Sequence, residues 1–196
     1  MMTEDIVVPM VSSGRIQDIP GGRLKPYVGN GGAVNLMKWD GGKSYNLGAT
    51  FGAFLSRRFG TAIYAGMKTC PTTAPDPTVG VSYACLDGLI RASGGEGLAD
   101  EFARVGASAY GLFPVTGTPD TYGMPARKIS DTYSLGAIDL SAYAADRPLV
   151  ATNLGTSFLA TTQTYKIDSV PAGGTSYSRP GVVVPANTTL MVVIKP

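Results

Sequence analysis

Two stretches of the chain place apolar residues at helical spacing. In Glu96–Tyr110 they recur at i, i+4, i+7 and i+11, which predicts a single apolar stripe made of Leu98, Phe102, Val105 and Ala109. Gly111 and Pro114 are expected to end this helix. In Ser44–Phe59 apolar residues also share one helical face, although Gly48 and Gly52 within it each weaken a helix by about 1 kcal/mol relative to alanine. The pattern therefore predicts helices over 44–59 and 96–110.

Alternation of apolar and small or polar residues predicts strands elsewhere. From Thr78 to Cys85 every second residue is large or apolar, so one face of a strand would be apolar. Asp87-Gly88 follows and favours a tight hairpin turn, with Leu89-Ile90 beginning the return strand. Residues 61–68 are predicted to form a further strand.

Beyond residue 114 the chain has the pattern of an all-β region. Short segments rich in Thr, Val, Tyr and Ile are separated by Gly, Pro, Asn and Asp. The last of them predicts a hairpin, with strands Gly181–Val184 and Thr188–Ile194 joined by the turn Pro185–Asn187. The expected fold class is α+β and predominantly β, with a β-sandwich or barrel-like C-terminal half, one or two helices in the N-terminal half and an extended N-terminal arm.

The beginning of the chain alternates apolar residues with turn-forming ones. Proline and glycine recur through residues 1–36, which predicts an extended arm. The expected division is this arm, a mixed helix and strand region over 37–114, and a β-rich region over 115–196 that forms either its own domain or one domain with 37–114. An apolar run in the arm is predicted to bind a neighbouring subunit: Ile6, Val7, Val8, Pro9, Met10 and Val11.

The composition excludes several kinds of chemistry. The 196 residues include no histidine, and only 15% are charged, against about 25% in average globular chains. Without histidine the chain cannot form a Ser-His-Asp or Cys-His nucleophile or a histidine-held zinc site. We therefore predict no catalytic, cofactor-binding or metal-binding residues and no cofactor. The low charge favours a protein whose surface is partly covered by neighbours.

The charge pattern gives little support for a nucleic-acid or membrane partner. The formal net charge is +2, and the adjacent basic pairs Arg57-Arg58 and Arg127-Lys128 predict a solvated face rather than a nucleic-acid groove. No apolar stretch reaches the roughly 18 residues of a membrane-spanning helix. The acidic start Met1–Asp5 differs from a secretory signal, so we expect synthesis in a cytoplasm.

The two cysteines allow two interpretations. Cys70 and Cys85 lie 15 positions apart, and two thiols alone cannot complete a structural zinc site. Spacing does not decide between a disulfide and two free thiols. We favour two reduced, partly buried thiols.

Four features resemble functional sites and have simpler explanations. Gly42-Lys43-Ser44 ends like a phosphate-binding loop but lacks the preceding glycine, and Gly94–Gly97 is better explained as the turn that enters a helix. The ten tyrosines could stack on sugars, although burial in thin β layers accounts for them. Scattered carboxylates permit a hydrolase with a carboxylate pair, but nothing singles out a pair.

The chain has a turn-rich opening, Ile6–Gly32, a middle rich in Gly, Ala and Thr, and a predicted terminal hairpin. In this composition it resembles small virion structural proteins of tailed bacteriophages, both head decoration (cement) and tail proteins. The resemblance implies a non-enzymatic protein that bridges neighbouring capsid subunits. It also implies location in the virion, with partners that are other copies of the chain and major capsid or tail proteins, and neither specific nucleic acid nor membrane.

Two other functions remain open from the residues. One is a receptor- or carbohydrate-binding module of a tail fibre or adhesin, in which tyrosines in turn-rich stretches would bind the ligand. The other is a histidine-free hydrolase that uses paired carboxylates.

Overall fold

Helices form most of the regular structure. The computed structural model describes residues 19–30, 34–70, 80–147, 161–167, 173, 176, 178 and 182–194. Its helices are a π-helical turn Ile19–Leu24, α1 (Lys25–Gly29), α2 (Gly41–Phe59), α3 (Ala62–Met67), α4 (Gly80–Ala92), α5 (Leu98–Gly111) and a 3-10 turn Leu140–Tyr143. None of the helices in these ranges is both long and apolar enough to cross a membrane.

The central helix is α2, and it confirms the helix predicted over 44–59. Most of its side chains from Ala49 to Arg57 are buried, which places it in the middle of the core. Gly52 lets α3 pack closely against it. The Tyr64 hydroxyl of α3 donates a hydrogen bond to the Gly52 carbonyl at 2.6 Å, and a Cβ on Gly52 would lie 3.1 Å from that hydroxyl.

Helix α5 confirms the second predicted helix. Val105 and Ala109 of its apolar stripe are fully buried, and Phe102 meets Phe51 of α2 edge to face, with ring centroids 5.7 Å apart. The helix ends at Gly111, as expected, and Leu112 follows with a left-handed backbone (φ 53°) that turns the chain away.

The strands predicted over 61–68 and 78–85 are wrong. Residues 62–67 and 80–92 are helical; Thr78 and Val79 lie outside the described residues. The short alternation was ambiguous because Leu86, Leu89 and Ile90 continue it at helical spacing, and Ile90 is fully buried. Asp87-Gly88 consequently lies inside α4 rather than in a hairpin turn.

The predominantly β fold class is also wrong. The sheet found among the described residues has two strands of two residues each, β1 (Arg127–Lys128) and β2 (Ser134–Leu135), paired antiparallel with Arg127 opposite Leu135. Residues 182–194 contain a turn at 186–187 but no strand, so the terminal hairpin does not form. Turn-rich irregular chain shares the composition of short strands, and here helices supply the core instead.

The irregular region after α5 is fastened to the end of α2. Arg127 donates hydrogen bonds to the carbonyls of Arg57 and Arg58 at 2.9 and 2.6 Å, as basic side chains do at helix C-termini. Arg57 in turn donates to the Gly136 carbonyl at 2.8 Å and is buried. The solvated face predicted for these basic residues is therefore wrong for Arg57, Arg58 and Arg127, whereas Lys128 is exposed.

The segment predicted to be an extended arm, residues 1–36, is helical over 19–29, while the described residues 34–36 are irregular. Ile19, Leu24, Tyr27 and Val28 are buried and belong to the same core as α2 and α5. The run predicted to bind a neighbour, residues 6–11, lies outside the described residues. The proposed division at residues 36 and 114 stays a prediction.

Candidate functional site

The first turn of α5 brings together two carboxylates in different surroundings. Glu101 lies on the helix itself and its side chain is fully buried. Asp87 comes from α4 and lies at the helix N-terminus, 35% exposed. Each carboxylate is paired with arginine. The two arrangements must be separated before either is assigned a chemical role.

Glu101 is the centre of a buried ion cluster. Arg58 of α2 places Nε 2.7 Å from Glu101 Oε2 and donates from Nη2 to Oε1 at 3.0 Å. Arg104, one turn further along α5, donates from Nη1 to Oε1 at 2.7 Å. A buried carboxylate requires such partners because desolvation of an unpaired charge is costly.

Aromatic rings complete this cluster. The Arg58 guanidinium lies 4.9 Å from the centroid of the Phe59 ring, and that of Arg104 lies 5.9 Å from the Tyr122 ring. Burial opposes the charge on Arg104, but the Glu101 carboxylate and a hydrogen bond with Tyr122 together raise the pKa of Arg104. Glu101 is enclosed by these groups and cannot reach a substrate, so its role is to hold α2 and α5 together.

Asp87 interacts with the solvent-exposed part of the first turn of α5. Its Oδ1 accepts a hydrogen bond from the backbone N–H of Leu98 at 2.7 Å, where a negative charge is favoured by the helix dipole. Its Oδ2 accepts from Arg91 Nε at 2.8 Å, one turn along α4. The hydrogen bonds from Arg91 and from the Leu98 amide lower the pKa of Asp87.

Two more exposed carboxylates, Glu96 and Asp100, interact with this arginine through their charges. Asp87 first, and then Asp100 and Glu96 through their charges, raise the pKa of Arg91. Gly97 lies beside Arg91 and Asp87. Its φ of 113° favours glycine, and a Cβ added at this position would overlap both side chains. We call these residues, Asp87, Arg91, Glu96, Gly97 and Asp100, the α5 entrance.

The two cysteines form a disulfide. Cys70, after α3, is bonded to Cys85 of α4, with Cα atoms 5.6 Å apart. The prediction of two reduced thiols is therefore wrong. The bond removes both thiols from nucleophilic and metal-binding chemistry and ties α4, which carries Asp87, to α3.

A second polar arrangement secures the segment 161–167 across the helices. The Tyr27 hydroxyl donates to the side-chain oxygen of Gln163, whose amide nitrogen donates to the Phe102 carbonyl. Tyr165 stacks on Tyr110 with ring centroids 4.2 Å apart. Burial raises the pKa of Tyr27. These tyrosines pack against other parts of the chain, so they do not form the sugar-binding surface considered in the sequence analysis.

The remaining motif-like segments have structural roles. Lys43 is paired with Asp40, with Nζ 3.1 Å from Oδ2, and the Ser44 hydroxyl accepts from the Asp40 amide at 2.7 Å. A carboxylate at this position opposes phosphate binding. Gly94–Gly97 connects α4 to α5, as the helix-entry interpretation predicts.

The available side chains restrict the hydrolytic chemistry. Across the described ranges no three His, Cys, Asp or Glu side chains come together as metal ligands. Both thiols are bonded and the chain has no histidine, so these residues do not fit a protein-held metal centre or a histidine-activated nucleophile. Carboxylates are among the acid–base groups that remain, and three of them, Asp87, Glu96 and Asp100, belong to the α5 entrance.

The sequence predicted no catalytic, cofactor-binding or metal-binding residues and did not single out the α5 entrance; this prediction stays untested. A signal was present, because Asp87 and Arg91 have the i, i+4 spacing of a helical ion pair. It was overlooked because Asp87-Gly88 was interpreted as a hairpin turn. The approach of Glu96 and Asp100 to Arg91 depends on how α4 packs against α5, which spacing does not reveal.

Comparison with known proteins identifies a family. A family model described as Peptidase M30 matches residues 1–195. No curated protein and no solved structure matches the chain. The match overturns the resemblance to phage virion proteins, and with it the non-enzymatic assembly function, because the family is one of peptidases. The predicted partners and location stay predictions. Since the match covers nearly all 196 residues, the chain belongs to the Peptidase M30 family.

Proposed function

We propose that the protein hydrolyses peptide bonds. The observation that carries this proposal is the match of a peptidase family model to residues 1–195. The family membership does not by itself identify the catalytic groups, so the chemistry must be argued from the side chains available. These lack histidine and, in the described residues, a free thiol.

The proposed chemistry uses carboxylates at the α5 entrance. In peptide hydrolysis by a carboxylate pair, one carboxylate removes a proton from the attacking water and the other protonates the substrate. Asp87 is a weak base because its pKa is lowered, so its role is to position Arg91. Glu96 and Asp100 are exposed and lie near Arg91, which supports them as the acid–base groups.

Arg91 supplies a positive charge at the same place. The tetrahedral intermediate of peptide hydrolysis carries a negative oxygen, and an adjacent cation stabilises it. Arg91 is 59% exposed and keeps donors beyond the Nε that pairs with Asp87. The proposal therefore assigns Arg91 to the oxyanion, and Glu96 and Asp100 to proton transfer.

The first experiment is a cleavage assay on an unfolded protein substrate such as casein, followed by mass spectrometry. We expect new termini to accumulate in proportion to the protein added. The rate should fall at least tenfold in Glu96→Gln or Asp100→Asn. The matched control is Asp131→Asn, since Asp131 is 96% exposed, pairs only locally with Lys128 and lies outside the entrance. Its rate should equal that of the wild type.

Three results would count against the proposal in different ways. Absence of cleavage at micromolar protein would reject the peptidase function. Cleavage that survives both Glu96→Gln and Asp100→Asn would reject the α5 entrance as its site. Cleavage abolished by a chelator and restored by zinc would reject metal-free carboxylate chemistry, because it would require metal ligands other than a group of three among the described residues.

A further inference from the structure

A segment near the end of the chain exposes a row of apolar side chains. Residues 182–194 lie in no helix or strand, and the turn within them is at 186–187. Six large apolar side chains are exposed, with Val192 at 72%: Val183, Val184, Leu190, Val192, Val193 and Ile194. A soluble chain rarely exposes so many neighbouring apolar groups without a partner.

The segment is chemically suited to pair as a strand. It is rich in β-branched residues and contains no charged residue from 182 to 194. No residue from 182 to 194 takes part in a β-ladder, so an added strand would displace no existing ladder. It is also seated on the helical body, because a Cβ on Gly111 at the end of α5 would lie 3.2 Å from Val193 Cγ1.

The size and charge of the segment decide which partner fits. A stable dimer interface needs about 20–30 residues from each side. Thirteen residues fall short of that, whereas strand addition to an exposed edge needs only a short extended peptide. The absence of charge favours a peptide whose own side chains are uncharged and apolar at alternate positions.

We propose that residues 182–194 bind an extended, uncharged, apolar peptide by backbone pairing and thereby hold the substrate of the peptidase. This inference rests on the proposed function, because a polypeptide substrate is what gives the segment its partner. Main-chain hydrogen bonds would supply affinity, and the valines would select apolar side chains on alternate residues.

The test measures binding separately from cleavage. A fluorescein-labelled ten-residue peptide of alternating valine and threonine, with blocked ends, is titrated with the full chain and followed by anisotropy. We expect saturable binding that Val192→Lys weakens at least tenfold, because the lysine places a charge on the apolar row. The matched control is Val115→Lys, at a partly exposed apolar side chain outside the segment, and it should leave binding unchanged.

A second peptide and two further measurements make the result decisive. The same peptide with alternate backbone nitrogens methylated should bind at least tenfold more weakly; equal binding would overturn backbone pairing. The inference would be overturned if the peptide does not bind and the segment instead has another partner. That partner would be a second copy of the chain, seen as dimerisation in sedimentation, or a membrane, seen as binding to phosphatidylcholine vesicles. In either case Val192→Lys would abolish the interaction. Binding without cleavage rejects the proposed function and with it the role of the segment in holding a substrate, and it leaves only peptide binding by residues 182–194. Cleavage undiminished in Val192→Lys rejects the inference and leaves the proposed function standing.

Discussion

Glu101 and Asp87 lie at the same end of α5, and the difference between them shows how burial determines what a carboxylate does. Glu101 is enclosed, with arginines on two sides and no access to solvent. Asp87 makes a comparable ion pair, yet it remains 35% exposed, and its partner Arg91 also interacts with the charges of Asp100 and Glu96. The first arrangement contributes stability; the second leaves groups available to a substrate. Strong pairing alone therefore does not indicate a functional site.

Glu101→Gln is expected to have the largest effect on stability. The change leaves Arg58 and Arg104 as buried cations without their carboxylate. Removing one partner of a buried ion pair costs about 3–5 kcal/mol, which a urea titration measures as lost free energy of unfolding. The control is Glu96→Gln at the exposed entrance, where a change within about 0.5 kcal/mol is expected. Equal losses in both variants would contradict the separation of the two arrangements.

Loss of the disulfide should destabilise the surroundings of Asp87 more than the buried cluster around Glu101. Replacing Cys70 and Cys85 with serine opens a loop of 15 positions, which costs about 3 kcal/mol in the chain-entropy description. Because the bond anchors α4, hydrogen exchange of the Leu98 amide should accelerate under native conditions more than that of the Val105 amide within α5. Equal acceleration would indicate that the bond stabilises the whole core evenly.

Gly97→Ala should disturb the α5 entrance directly. The alanine adopts a positive φ and its Cβ overlaps Arg91 and Asp87, which together should cost about 2 kcal/mol. Gly94→Ala is the matched control, because Gly94 also has a positive φ (88°) but no atom within 4 Å of the added Cβ. The difference between the two variants in thermal unfolding isolates the overlap of the added Cβ with Arg91 and Asp87. A Gly94 variant as unstable as the Gly97 variant would attribute the effect to backbone strain alone.

The contrast between α5 and α4 shows what the sequence could reveal. The long, regular stripe of α5 predicted that helix correctly, and α2 was predicted in the same way. Helix α4 was missed because eight residues of alternation fit a strand and a helix equally well. The structure packs Leu89 of α4 close to Gly66 of α3 and bonds Cys85 of α4 to Cys70. Both are tertiary contacts, so the entrance that depends on them escaped prediction too.

Asp87→Asn should have the smallest effect on the free energy of unfolding. The dependence of that effect on pH tests whether the charge of Asp87 is its cause. The pKa of Asp87 is lowered in the folded protein, so the stabilisation is present above the unfolded value near 3.9 and is lost as pH falls through the folded pKa. At neutral pH the difference from the wild type should be at most about 1 kcal/mol, because solvent and salt screen an exposed charge.

The measurement compares urea unfolding of the two proteins at neutral pH and at about pH 2.5, below the unfolded pKa of aspartate. The stability difference should be smaller at the lower pH and should also shrink in about 1 M salt. Asp131→Asn serves as the control, since Asp131 does not cap a helix from a neighbouring element. A difference that is undiminished at low pH would assign the stabilisation to packing of the Asp87 side chain. In that case charge would not be what distinguishes the entrance from the buried cluster.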